Sequence, residues 1–284
     1  MTYQPHLLVT IANRISDDID AFSIKQYQDQ HRSHLGASVI GHDCWRYSWY
    51  AFRWIKSEIF SGRMLRLFQR GHDEESKCIA NLRGIGFEVW NAQVGGDQFR
   101  IVGAKGHYGG STDSVAGSPY KDFPEKLICE FKTHNSKSLT NLHHKKLMVS
   151  KPRHYAQMCN YGKAFGIKYG LYYAVGKNDD DIYIEVVELD WTLADDLYKK
   201  AEDIIFSPHP PPKLAMQADY YECKICPFKG PCHHNTDIDR NCRSCIHAHP
   251  IEEAQWGCDE HKVIIPKEFL PQGCDRWQPI VNRG

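Results

Sequence analysis

Leu65, Phe68, His72, Glu75, Ile79 and Leu82 recur at steps of three and four, the spacing of one helix face. Before them, residues 44–59 are crowded with Trp45, Tyr47, Trp49, Tyr50, Phe52 and Trp54, so two N-terminal helices are expected. Gly84 and Gly86 close the second. Residues 87–90, 99–102, 107–115 and 126–132 then look like strands separated by Gly-rich turns, a meander of about four strands. Lys151-Pro152 opens another helix through Tyr155, Met158, Cys159 and Phe165, because proline is tolerated in a first turn, and Gly166 can end it. Strands at 170–175 and 182–189 and a helix at 193–205 follow. This order predicts a mixed α/β fold, a central mixed sheet flanked by helices. Pro208, Pro210, Pro211 and Pro212 form a stiff connector to a Cys-rich tail.

Composition narrows the classes. The chain has 284 residues, enough for a large domain or a domain with an appendage. Lys plus Arg and Asp plus Glu are 35 each, so no overall basic field exists and any nucleic-acid site must be local. No apolar run approaches the roughly 20 residues of a membrane span. The apolar stretch His6-Leu7-Leu8-Val9-Thr10-Ile11-Ala12 has neither a basic lead nor a cleavage site, so a cytoplasmic setting is expected. Of 11 cysteines, seven fall between Cys223 and Cys274, a clustering that suggests metal rather than disulfides.

Glu130-Phe131-Lys132 places an acid and an ammonium on one face of a strand. Acid-x-Lys also occurs at Glu75, Glu222 and Glu260, but only Glu130 follows an apolar run, Leu127-Ile128-Cys129. Asp113, on the preceding strand, would meet Glu130 if the two strands pair in antiparallel fashion. Two converging carboxylates repel unless a cation lies between them, and hard oxygen ligands suit Mg²⁺ or Mn²⁺. Lys132 would then position or help deprotonate an attacking water, or offset charge developing on a phosphate oxygen. A structural Glu130–Lys132 ion pair is the equally weighted alternative.

Gly71-His72, Gly110-x-x-Asp113, Glu130-x-Lys132 and Gln157-x-x-x-Tyr161, in that order, resemble the motifs of the RecB-like branch of the PD-(D/E)XK nuclease superfamily, over roughly residues 44 to 234. The resemblance implies a restriction-endonuclease-like core, divalent metal at Asp113 and Glu130 with His72 and the Phe131 carbonyl as further ligands, and a catalytic Lys132. It also implies that Gln157 and Tyr161 order the site and the DNA; four residues apart, they share a helix face.

Cys223-x-x-Cys226-x5-Cys232 is a compact three-thiolate group that Cys44 could complete. In this it is similar to the RecB-like exonucleases of the AddB and CRISPR-adaptation types, which implies a structural 4Fe-4S cluster; four thiolates by themselves are compatible with zinc as well. Cys78, Cys129 and Cys159 sit in apolar segments and read as buried free thiols. Cys242-x-x-Cys245, Cys258 and Cys274 have the spacing of a structural Zn²⁺ site, with His261 as a rival fourth ligand and Gln272-Gly273-Cys274 the preferred turn.

The expected organisation is therefore a nuclease domain at 1–234 with its cysteine clasp, and a zinc-binding extension at 235–284. The expected activity is metal-dependent DNA hydrolysis, foremost as an exonuclease on single strands or duplex ends. A protein of recombination, replication or CRISPR adaptation is the expected class of partner, and no membrane is involved. Local residues such as His143-His144-Lys145-Lys146 and 151–155 could track a DNA backbone and stack bases. Rival readings are a non-catalytic zinc-dependent nucleic-acid-binding protein and an iron–sulfur redox protein.

Overall fold

A computed structural model describes residues 4–28, 31–93, 96 and 98–280; the outermost residues of both expected domains lie outside these. Helix α1 (Pro5–Tyr27) precedes a short strand β1 (Leu35–Gly36). Helix α2 (Trp45–Phe52) is capped by the Cys44 thiol, which accepts from the Tyr47 N–H at 3.4 Å. Helix α3 (Gly62–Gly84) starts at Ser61, whose hydroxyl accepts from the Met64 N–H. The apolar stretch at 6–12 thus begins a helix that the sequence pattern did not suggest, and Leu8, Ile15 and Phe22 point outward from it. Helix α1 crosses α3 at Gly62, where a Cβ would stand 2.7 Å from the Asp20 Cα, so only glycine permits the approach.

Strands β2 (Glu88–Trp90), β3 (Arg100–Gly103), β4 (Tyr108–Ser111), β5 (Ser114–Gly117) and β6 (Lys126–His134) follow. The segment expected as one strand at 107–115 is two: β4 pairs with β1 and β3 in a small sheet, whereas β5 belongs to the main sheet. The simple meander is corrected accordingly. Helices α4 (Ser136–Ser150) and α5 (Pro152–Phe165) form the crossover from β6 to its parallel neighbour β7 (Tyr169–Gly176). Asn135 caps α4, and α5 runs from its N-terminal proline to Gly166 in the left-handed region (φ 66°). Strand β8 (Ile182–Glu188) and helix α6 (Trp191–Phe206), capped by Asp190, complete this part.

The main sheet has the order β2-β5-β6-β7-β8, mixed in direction, with Ser114 opposite Cys129, Glu130 beside Tyr172, and Tyr172 opposite Glu185. Strand β6 is buried on both faces. Leu127, Cys129 and Phe131 join Cys78 and Leu82 of α3 on one side, while Ile128 joins Met158 and Cys159 of α5 on the other. Period-two alternation therefore sends Glu130 and Lys132 to the α5 face.

Helix α7 (Tyr221–Lys224) and a three-stranded antiparallel sheet of β9 (Ala248–Pro250), β10 (Trp256–Cys258) and β11 (Val263–Ile265) form the tail. Trp256, Ala248, Leu270 and Ile280 are buried in the same cluster as Trp49 and Phe52 of α2. The Asp239 carboxylate accepts from Ser57, and the Asn241 amide donates to the Trp54 carbonyl at 2.8 Å. The residues expected as an extension thus share a core with the first half of the chain. Among the described residues no helix is long and apolar enough to cross a membrane.

Candidate active site

Pairing between β5 and β6 stops at Ser114–Cys129, so the Phe131 N–H lies beyond the ladder. Asp113, in the two-residue junction where the chain leaves one sheet for the other, takes that proton: its Oδ2 accepts from the Phe131 N–H at 2.7 Å. The junction turns the Asp113 carboxylate toward β6. The Lys132 ammonium lies 3.8 Å from Asp113 Oδ2, forms an ion pair with Glu130 Oε1, and donates to the Phe131 carbonyl at 3.0 Å. Asp113, Glu130 and Lys132, expected from sequence to converge, stand together, and the carbonyl expected to face a metal faces the ammonium.

Glu130 is fully buried, and apart from the Lys132 ammonium no group among the described residues reaches either of its oxygens. Burial pushes its carboxyl above the ordinary range, with Lys132 pulling down and Asp113 pushing up. Burial opposes the charge on Lys132, but Glu130 and Asp113 outweigh it, so the ammonium is held more firmly protonated than usual. A buried carboxylate beside a second carboxylate is a donor set that fits a hard divalent cation. Among the described residues no three His, Cys, Asp or Glu side chains are already gathered tightly enough to hold an ion.

His72 is largely exposed and lies 3.4 Å from Glu75, one turn along α3. Glu75 is the member sequence reasoning missed. Burial raises its carboxyl, and the Asp113 charge raises it further. Its i+3 spacing from His72 was the available signal, but such a pair also describes a solvated helix face.

Gln157 and Tyr161 are buried, and burial, with the charges of Glu130 and Asp113, pushes the Tyr161 phenol up, while Gln157 pulls it down. A Cβ at Gly110 would come within 2.6 Å of the Tyr161 hydroxyl, so the Gly110-x-x-Asp113 spacing has a packing cause. Tyr155, expected to stack on bases, is instead buried, its hydroxyl donating to the Glu188 carbonyl at 2.8 Å.

A second feature was not legible. The Tyr172 hydroxyl, on the Glu130 face, bridges His134 and His154, 2.8 Å from each, and His134 also meets the Ser138 hydroxyl at 3.0 Å. Burial, with the charge of Lys151 and Lys132, keeps both imidazoles neutral, His134 at about 4 and His154 at about 3. Lys151 donates to Ser138 at 2.6 Å, so the basic segment after α4 is tied into this network.

Cys44, Cys223, Cys226 and Cys232 line one small cavity of about 20 Å³. Burial pushes the Cys226 thiol up to about 11, and the charges of Cys44, Cys232 and Cys223 act on it as well. Cys242, Cys245, Cys258 and Cys274 line a second, apolar cavity of about 210 Å³ with His261, whose Nε2 is 3.4 Å from the Cys274 Sγ. Both groups of thiols have the chemistry of soft-metal donors.

No family profile matches the chain, and no curated protein is significantly similar to it in sequence. Among solved structures, the alkaline exonuclease LHK-Exo from Laribacter hongkongensis aligns at 14% identity over 66% of this chain and 90% of its own, with a TM-score of 0.42. Its complex with dAMP aligns at 16% identity over the same shares, with a TM-score of 0.40. SSO0001 aligns at 17% identity over 77% of this chain and 96% of its own, with a TM-score of 0.42. The likeness is one of backbone arrangement, and the chemistry rests on the residues of this site.

Proposed function

We propose that the chain is a divalent-metal-dependent nuclease that hydrolyses DNA phosphodiesters. The observation that carries this reading is Glu130, a fully buried carboxylate paired with the Lys132 ammonium and converging with Asp113. A structural ion pair alone accounts poorly for it, because a second carboxylate then crowds one ammonium inside the protein. Mg²⁺ or Mn²⁺ held by Asp113 and Glu130 would supply Lewis-acid polarisation of a phosphate oxygen. Glu75 adds negative charge from the α3 side, and His72 is within reach of it.

Lys132 is too firmly protonated to take a proton from water near neutral pH, so its role is to orient the water and neutralise charge on the phosphoryl oxygens. The Phe131 carbonyl fixes the direction of the ammonium. Tyr161 packs against Gly110 and so helps hold Asp113 at the sheet junction, with Gln157 one turn away on the same helix face.

Action from a DNA end follows from the motif resemblance, as does a 4Fe-4S cluster at Cys44, Cys223, Cys226 and Cys232; Zn²⁺ in the tail follows from cysteine spacing. Proteins of recombination, replication or CRISPR adaptation are the corresponding partner class. The test is a time course on end-labelled single- and double-stranded DNA with Mg²⁺, Mn²⁺ or EDTA. Wild type should degrade it with either ion, and neither EDTA-treated protein nor Lys132→Ala should. Intact DNA that wild type nonetheless binds in the presence of Mn²⁺ would refute the reading. The iron-to-zinc ratio of anaerobically purified protein, with its visible absorbance, decides the metals.

A further inference from the structure

Helix α1 is fastened to α3 by its last turns: Asp20 pairs with Arg66, whose guanidinium also donates to the Ser23 hydroxyl at 3.2 Å, and Ser23 is buried. Ahead of that anchor every residue from His6 to Ile19 is exposed. Leu8, Ile11, Ile15, Ile19 and Phe22 are among the exposed apolar side chains, each between 43% and 60% open to solvent. At about 100° of rotation per residue all five fall within about 40° of Ile15, so they form one stripe, turned away from the Asp20 and Ser23 side that meets α3.

The steps between these five positions are 3, 4, 4 and 3, an order that reads the same from either end. A second α1 laid antiparallel therefore offers the stripe its own complement: Ile15 meets Ile15, Ile11 meets Ile19, and Leu8 meets Phe22, over about 21 Å of helix. Their average step of 3.5 residues is the one that keeps a seam between two helices in register. Charge agrees with that direction. Arg14 and Asp18 lie on one flank of the stripe, both exposed, and among the described residues neither pairs with another charge. Antiparallel packing joins like flanks, so Arg14 of each copy stands within one turn of Asp18 of the other, twice per pair. Parallel packing would set this flank against Ala12 and Ser16 and leave both charges unmatched. Asp17, Asp18 and Asp20 outnumber Arg14 and Lys25, which suits α1 to neither an anionic lipid surface nor a phosphate backbone. An isolated helix this short would be marginal in water, but α1 is already held by α3, so its ordering is not a cost of pairing.

We infer that α1 is a dimerisation helix, and that two copies of this chain pair through antiparallel α1 stripes about a two-fold axis at Ile15. Such a contact is isologous, each position meeting its mirror in the sequence of the other copy, which is what a palindromic spacing provides. The inference is independent of the chemistry at Asp113, Glu130 and Lys132.

Sedimentation equilibrium of the full-length protein over a concentration series should show a reversible dimer. Ile15→Asp sets two like charges against each other at the axis but alters a side chain that is half exposed in the single chain. Its melting temperature as a monomer should therefore hold, while the dissociation constant of the dimer rises at least about 100-fold. Arg14→Glu and Asp18→Lys should each weaken the dimer a few-fold, and the two together should restore it. Register is read by cross-linking against a wild-type background: Ile15→Cys should form a disulfide with itself on mild oxidation, whereas Leu8→Cys should do so only when mixed with Phe22→Cys. Monomeric wild type overturns the inference, including a monomer that instead sediments with vesicles of phosphatidylcholine and phosphatidylglycerol. So does a dimer that Ile15→Asp leaves intact. If Ile15→Asp does not fold, the cysteine variants decide: Leu8→Cys linking to itself while Ile15→Cys does not would refute the antiparallel pairing.

Discussion

Replacing Lys132 by methionine removes the one cation among the described residues that reaches the buried Glu130 carboxylate and leaves a side chain of similar length. Breaking a buried pair by deleting one partner costs about 3 to 5 kcal/mol while the remaining charge stays ionised. For a chain of this size that is on the order of 10 °C in melting temperature. Glu130 has an alternative, which is to take up a proton. Burial already raises its folded pKa above the ordinary value of 4.5, and loss of Lys132, which pulls it down, raises it further. The folded protein then binds more protons than the unfolded chain, so the stability linked to this group is intact below 4.5 and falls as pH rises through the folded value. The variant should therefore differ little from wild type in mildly acidic buffer and lose ground progressively in alkaline buffer, reaching the full penalty only where Glu130 is ionised. Urea unfolding in EDTA across a pH series measures this directly. Mn²⁺ should stabilise the variant more than wild type, because it restores a positive charge where one is missing. A penalty independent of pH, or none at alkaline pH, would show that the ammonium does not compensate Glu130.

Asp113→Asn keeps an oxygen for the Phe131 N–H but removes the charge, so folding should be unaffected while cleavage falls by at least about 100-fold and Mn²⁺ no longer raises the melting temperature. Glu75→Gln removes a negative charge that raises the Glu130 pKa; the acid limb of kcat/KM against pH, measured with Mn²⁺, should move to lower pH. Cys44→Ser leaves a hydroxyl able to cap α2, so any loss in urea unfolding beyond about 1 kcal/mol belongs to the missing thiolate, and metal analysis should show the first thiolate site depleted.

The elements that were legible from sequence are those whose pattern states both ends and both faces. Helix α5 has Pro152 and Gly166 at its limits, and β6 has an apolar run followed by alternating charge. Asp113 and Glu130 could be paired because the loop between them is short. The sheet switch at Thr112–Asp113 could not be read, since one alternating pattern serves either sheet. Helix α1 hid because its apolar residues face outward rather than into a core. Glu75 was obscured for the opposite reason: an acid on a polar helix looks solvated until the face of the sheet is placed beside it. Arg53 and Arg243 are ordinary surface residues by type, and only the packing of Trp54, Trp256 and Phe52 around them reveals their burial.

The aromatic cluster in the first half of the chain is completed from far along the chain, as in the bond between Arg53 and Ala248, 195 positions apart. During synthesis Trp49, Phe52 and Trp54 emerge long before Trp256 can cover them. A sticky patch of rings must therefore wait on the ribosome or be shielded by a chaperone, the situation in which partly folded chains aggregate. Expression of this protein should respond to chaperone supply and growth temperature more strongly than its final stability alone would suggest.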